Sequence, residues 1–228
     1  MAESNIDKLQ IIAEGLGNLN EQVVYVGGAV AQLYVTDPAA TDIRPTKDVD
    51  CVIELGGYGK LAELEETLRH KKFENDQSPG APICRWIYKG VMVDVMPSDK
   101  EVIGFSNAWY QPGIDHKEER ILPNNSVIWV LPVTYYVATK FEALAGRGGE
   151  DYRWSHDFED IVYILNSCSY FVELYREESN AELRSYLKCK CMELLKRNNI
   201  LEEIECVLPI GEEERVEYIL EVLNKITE

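Results

Sequence analysis

Apolar residues at Ile6, Leu9, Ile12, Leu16 and Leu19 recur at helical spacing and predict an amphipathic helix from Ile6 to Leu19. Gly17 or Asn18-Leu-Asn closes it. Val23-Val-Tyr-Val26 is a continuous apolar, β-branched run, which predicts a short buried strand ending at Gly27-Gly28. Ala29 to Tyr34 reads as the first turns of a helix, and the polar stretch from Thr36 to Thr46 as a loop. Asp48 to Leu55 is β-rich and predicts a second strand; Gly56-Gly-Tyr-Gly59 then turns into a helix from Leu61 to Phe73. Ile83–Tyr88 and Val91–Val95 flank Lys89-Gly90, the signature of a hairpin. Further short strands are expected near 102–105, 119–122 and 127–130.

After Pro132 the periodicity changes. Helical patterns cover Thr134–Ala145, His156–Leu165, Ala181–Leu195 and Glu212–Ile226. The expected architecture is therefore α+β: a mixed sheet flanked by helices over residues 1–130, then a helical domain over 131–228. No Gly/Ser linker separates the halves, so they are expected to pack together.

Composition narrows the function classes. The 228 residues carry 40 Asp and Glu against 23 Lys and Arg, a net charge of -17. Such a surface repels polyanions and argues against an extended nucleic-acid-binding face. No run approaches the ~20 apolar residues of a membrane helix, and the segment from Met1 to Asp7 does not read as a secretory signal. Six cysteines stand without a Cys-x-x-Cys pair, which predicts reduced thiols, no structural zinc and a cytoplasmic location.

The sharpest chemistry lies in three places: Gly27-Gly28, Asp48-Val-Asp50 and Asp94. A strand that ends in Gly-Gly at a helix start exposes backbone N–H groups to an anion. Asp48 and Asp50, at i and i+2 on a strand, point to one face. Asp94 interrupts the apolar run Val91–Met96 on a neighbouring strand. Singly, such features are a turn and a solvated face. Together, three carboxylates on one sheet face repel unless cations hold them. An all-oxygen set suits Mg²⁺ or Mn²⁺, and two such ions clamp a triphosphate and activate a hydroxyl.

A second block sits at Lys140-Phe-Glu-Ala143-Leu-Ala-Gly-Arg147 and His156-Asp157-Phe-Glu-Asp160. Lys140, Ala143 and Arg147 share one helix face. Two readings of it, cations for phosphate and salt bridges from Lys140 and Arg147 to Asp157 and Asp160, are expected to hold together: Asp160 and Arg147 orient the helices while Lys140 meets phosphate. His156 is read as an exposed residue of a helical first turn, and Lys188, Lys190, Lys196 and Arg197 as a solvated face. Tyr135, Tyr136, Trp86 and Trp154 are read as core or pocket wall.

The order of strand, Gly-Gly, Asp-x-Asp strand and later strand carboxylate resembles the polymerase-β-like nucleotidyltransferase superfamily. Arg44-Pro-Thr46-Lys-Asp48-Val-Asp50 matches an Arg-x-Thr-x-Asp-x-Asp form found in one branch. The Lys140 block is similar to the helix pair of the abortive-infection nucleotidyltransferase toxin family. The resemblance spans roughly residues 20 to 165. It implies Asp48 and Asp50 as metal ligands, Asp94 as the third carboxylate near the incoming hydroxyl, and two Mg²⁺ or Mn²⁺ ions. It also implies Gly27, Gly28, Arg44, Thr46 and Lys140 at the nucleotide, with Arg147, Asp157 and Asp160 in support. Two departures stand out: Gly28 replaces the Ser of many relatives, and the loop from Gly28 to Asp48 is longer than in minimal members.

The expected activity is transfer of a nucleotidyl group from an NTP such as ATP or GTP to a hydroxyl: an RNA 3′ end, a protein side chain or a small molecule. A role as a toxin with an antitoxin partner follows from the same resemblance. The alternatives are a non-catalytic nucleotide- or partner-binding module on this fold, and an antibiotic-type small-molecule transferase. For an RNA acceptor, Arg44, Lys47, Lys140 and Arg147 are the first candidates for a narrow basic path.

Overall fold

The computed structural model describes residues 3–41, 43–55, 58–104 and 106–228. Contacts divide the chain into two compact units, Met1–Val30 with Arg44–Pro132, and Ala31–Ile43 with Val133–Glu228.

The first unit is an α+β assembly. Helix α1 (Asn5–Leu16) starts at a capping box: the Ser4 hydroxyl accepts from the Asp7 N–H at 3.1 Å, and the Asp7 carboxylate accepts from the Ser4 N–H at 3.0 Å. It buries Leu9, Ile12, Ala13 and Leu16. Gly17 (φ +51°) ends α1 earlier than the periodicity to Leu19 implies, and a 3₁₀ segment, Gly17–Gln22, carries the rest. Strand β1 (Val23–Val26) is buried at every position. Next come β2 (Asp48–Ile53), α2 (Tyr58–His70), β3 (Glu74–Asn75), β4 (Arg85–Tyr88) and β5 (Val91–Pro97). The short helices α3 (Lys100–Ile103) and α4 (Tyr110–Ile114) precede β6 (Glu118–Ile121) and β7 (Val127–Val130).

Among the described residues seven strands form one mixed sheet in the order β3-β4-β5-β2-β1-β7-β6. β2 runs parallel to β5 and antiparallel to β1, while β1 pairs with β7 in parallel. The β4–β5 hairpin closes through Lys89 (φ +49°) and Gly90 (φ +85°), the paired positive φ values of a tight two-residue turn. Side chains alternate along β4. Trp86 and Tyr88 share a face with the helices: Arg69 of α2 lies over the Trp86 ring, and Gly15 of α1 abuts Tyr88. Arg85 therefore points to the opposite face.

Several expectations change. The strand expected near 102–105 is α3 instead, because the Asp99 carboxylate caps it from the Glu101 N–H at 2.8 Å and Gly104 closes it at φ +85°. Local capping outweighs the β preference of Val102 there. Phe105 and the Gly56-Gly57 turn lie outside the described residues. Gly28–Tyr34 is a 3₁₀ segment, not the start of an α-helix.

The second unit is helical: α5 (Val133–Arg147), α6 (His156–Ser167), α7 (Phe171–Glu177), α8 (Ala181–Leu195), α9 (Ile200–Val207) and α10 (Arg215–Thr227). Helix α5 is its centre, buried continuously from Val133 to Phe141. Residues 31–43 lie early in the chain yet belong here. The N–H groups of Thr36 and Asp37 donate to the Ser167 carbonyl at 3.0 Å, Tyr34 packs on Tyr136 at 4.8 Å, and the Tyr163 hydroxyl donates to the Thr41 carbonyl at 3.2 Å. All six cysteines are free. Among the described residues no helix is long and apolar enough to cross a membrane.

Two carboxylates tie this unit to pH. Burial raises the Asp157 carboxyl, but the Arg147 hydrogen bonds and the Lys140 charge outweigh it and hold the group below its ordinary 3.8. Arg197 hydrogen bonds hold Glu203 below its ordinary 4.5. Both groups have depressed folded values, so their contribution is complete above the unfolded values and fades as pH falls through the folded ones. Urea unfolding is predicted to show a stability plateau near neutrality and a decline below about pH 4.5. The decline should shrink in Arg197→Met, which removes the partner of Glu203; an unchanged pH profile in that variant would refute the assignment.

Candidate functional site

The expected acids come together on the first unit's sheet. Asp50 pairs with Val26 of β1 on one side and with Asp94 of β5 on the other, and Asp94 pairs with Arg85 of β4. Asp50, Asp94 and Arg85 thus form a row across three strands, with Asp48 two residues back on the face of Asp50. This face lies opposite α1 and α2, as the alternation of Arg85 with Trp86 requires.

Arg85 is the residue sequence reasoning missed. Its Nε donates to Asp94 Oδ1 at 2.8 Å, and its Nη2 donates to Asp94 Oδ2 at 2.8 Å and to Asp48 Oδ2 at 2.5 Å. The Asp94 hydrogen bonds raise its already high pKa further, so the guanidinium stays charged throughout. The signal was present: a two-residue turn at Lys89-Gly90 sets Tyr88 against Val91 and, three steps on, Arg85 against Asp94.

One guanidinium serves Asp48 and Asp94 together, within the field of the row of acids. Neighbouring thiols register that field. Burial is the main cause that pushes Cys84 up to about 11, and Asp94 adds to it. Burial also drives Cys51 well above its ordinary value, with Asp50 and Asp94 contributing.

Gly27 follows β1 at φ +71°. A Cβ there would stand 1.9 Å from Asp50 Oδ2 and 2.7 Å from its Cγ. The missing side chain is the space that the Asp50 carboxylate occupies, which is a tighter reason for glycine than the turn alone. Gly28 is buried and opens the 3₁₀ segment.

Thr46 is buried and held by the chain. Its N–H donates to Asn5 Oδ1 at 2.8 Å, and its hydroxyl donates to the Asp48 carbonyl at 2.9 Å. Asn5 also donates to the Arg44 carbonyl at 3.1 Å, and the Lys8 ammonium donates to the Thr46 carbonyl. Helix α1 thereby fixes the segment that delivers Asp48 and Asp50. Lys47 is exposed.

In the second unit, Lys140 is buried and its Nζ lies 2.6 Å from Asp160 Oδ2 and 3.6 Å from Asp157 Oδ1. Arg147, largely exposed, grips Asp157 with two hydrogen bonds at 2.7 and 2.9 Å. Of the two readings of this block, salt bridging is present: α5 and α6 are clamped by it. His156 is exposed, as expected. Lys190 and Arg197 are engaged with Glu193 and Glu203. Tyr135, Tyr136 and Trp86 are core, but Trp154 is 84% exposed: it sits in a 3₁₀ turn, Tyr152–Trp154, that buries none of its residues.

The donor set of Asp48, Asp50 and Asp94 fits a hard divalent cation in its chemistry, all carboxylate oxygen with a cradle at Gly27. Among the described residues no three His, Cys, Asp or Glu side chains are gathered closely enough to hold an ion as they stand. The Arg85 guanidinium stands between Asp48 and Asp94. No protein-family model matches the chain, and no curated protein matches it.

Two substitutions check these assignments. Gly27→Ala is predicted to cost about 1–3 kcal/mol from overpacking, beyond the roughly 1–2 kcal/mol of its left-handed backbone. In Asp50→Gly the overpacking part should vanish, so a double-mutant cycle by thermal unfolding must show coupling; strict additivity would refute the contact. Lys140→Met is predicted to cost about 3–5 kcal/mol, because it takes the ammonium away from a buried carboxylate, Asp160. Urea unfolding should show Lys140→Met/Asp160→Asn losing less than the single variant.

Proposed function

We propose that this chain is a divalent-cation-dependent nucleotidyltransferase of the polymerase-β-like kind. The observation that carries the reading is the register of Asp50 against Asp94, with Asp48 on the same face and Gly27 cut back to admit the Asp50 carboxylate. A fold with a seven-stranded mixed sheet is compatible with it. Asp48, Asp50 and Asp94 would hold Mg²⁺ or Mn²⁺, whose chemistry is to neutralise charge on the phosphates during transfer.

The protein's own part is acid–base and positional. The acceptor hydroxyl oxygen forms a bond to the α-phosphorus of the NTP, the bond to the bridging oxygen of the β-phosphate breaks, and pyrophosphate leaves. In this reading the Asp94 carboxylate acts as the general base that takes the hydroxyl proton. Gly27 and Gly28 present backbone rather than side chain to the phosphates. Lys140 is assigned to the clamp between α5 and α6, since a phosphate would have to compete with Asp160 at 2.6 Å.

The acceptor is proposed as an RNA 3′ end or a protein hydroxyl, and the biological setting as a cytoplasmic toxin countered by an antitoxin; both rest on resemblance. One observation favours the non-catalytic alternative: Asp48 and Asp94 already have a counter-ion in Arg85.

Incubation with α-labelled NTPs, Mg²⁺ or Mn²⁺, and cellular RNA and protein separates the readings. Label transfer with pyrophosphate release is expected, reduced about 100-fold or more in Asp94→Asn and abolished in Asp48→Asn. Nucleotide binding without pyrophosphate release would establish the binding module instead.

A further inference from the structure

The oxygens that a cation shared by Asp48 and Asp94 would need are those Arg85 now holds. Its Nη2 lies between Asp48 Oδ2 and Asp94 Oδ2, at 2.5 and 2.8 Å, and its Nε takes the other oxygen of Asp94. A guanidinium and a metal ion are both positive, so they cannot share this position. The side chain is four-fifths buried, which keeps the pairing ordered and little screened. One guanidinium serves two carboxylates, Asp48 and Asp94, at once. A divalent cation brings twice the charge at a smaller radius, and Arg85 reaches the acids through a flexible stem from the neighbouring strand. It can withdraw without any change in the β4–β5 register.

We propose that Arg85 is a gate that competes with the divalent cation. It holds Asp48 and Asp94 in the ion-free protein and surrenders them when the cation enters. The same side chain that keeps the acids from repelling one another therefore weakens the cation affinity of the free protein. This inference rests on the reading of the acids as a cation centre, and it assigns to one residue the control of when that centre forms.

Titration of the full chain with Mn²⁺, followed by the electron paramagnetic resonance of the free ion, tests it. Arg85→Gln is expected to bind Mn²⁺ about tenfold more tightly than the unmodified protein, the scale on which one adjacent like charge shifts ion binding. Asp50→Asn is expected to remove that site. Equal or weaker binding in a folded Arg85→Gln variant, with the Asp50-dependent site intact, overturns the gate and leaves the cation centre standing. No binding in either protein, or binding indifferent to Asp50→Asn, overturns both. A second measurement avoids any dependence on how that variant folds. The Arg85 Nε–H resonance, assigned by its loss in Arg85→Lys, should move as Mg²⁺ is added to the unmodified protein, with the midpoint of binding. A signal that stays fixed at saturating Mg²⁺ refutes the gate.

Discussion

The Arg85 bridge from β4 across Asp94 to Asp48 makes the rest of the sheet tenable. Three carboxylates on one face of adjoining strands would repel at close range, and Asp94 is buried. The bridge turns that repulsion into hydrogen bonding and ties three strands in side chains as well as backbone. Its geometry depends on details far from the acids. The Lys89-Gly90 turn fixes which β4 residue faces Asp94, and the alternation along β4 sends Arg85 to the face that Trp86 leaves. Helix α1 fixes the entry to β2 through Asn5 and Thr46.

The second unit solves the same problem with deeper burial. Asp160 is wholly buried, and Lys140 meets it from α5 at 2.6 Å. Arg147 approaches Asp157 from the solvent side. An ammonium buried beside a buried carboxylate is expensive to separate, whereas the exposed guanidinium is screened. What the geometry of this block displays is a clamp between α5 and α6.

Much of this was legible in the chain. β1 follows from a continuous apolar run buried at every position, and β2, the β4–β5 hairpin and helices α5, α6, α8 and α10 from apolar recurrence at strand or helix spacing. The three acids were legible because carboxylates inside apolar strands stand out. Arg85 was passed over because an arginine at the start of a strand reads as edge polarity until the hairpin register is counted through. Helix α3 was hidden because Val102 and Ile103 favour strands, while the deciding Asp99 cap lies outside the apolar pattern. Helices α7 and α9 are too short for their periodicity to separate from loop. The membership of residues 31–43 in the second unit was illegible, since hydrogen bonds from Thr36 and Asp37 to Ser167 leave no trace in local pattern.

That last segment has a consequence for how the protein is made. Residues 31–43 leave the ribosome well before their partners on α6 and α10, Ser167 and Arg215 among them, which are synthesised more than a hundred residues later. The second unit cannot close around this segment until α6 and α10 have been synthesised. For the same reason a cut at Pro132 yields no intact half: one piece carries the segment without its helices, and the other carries the helices without the segment.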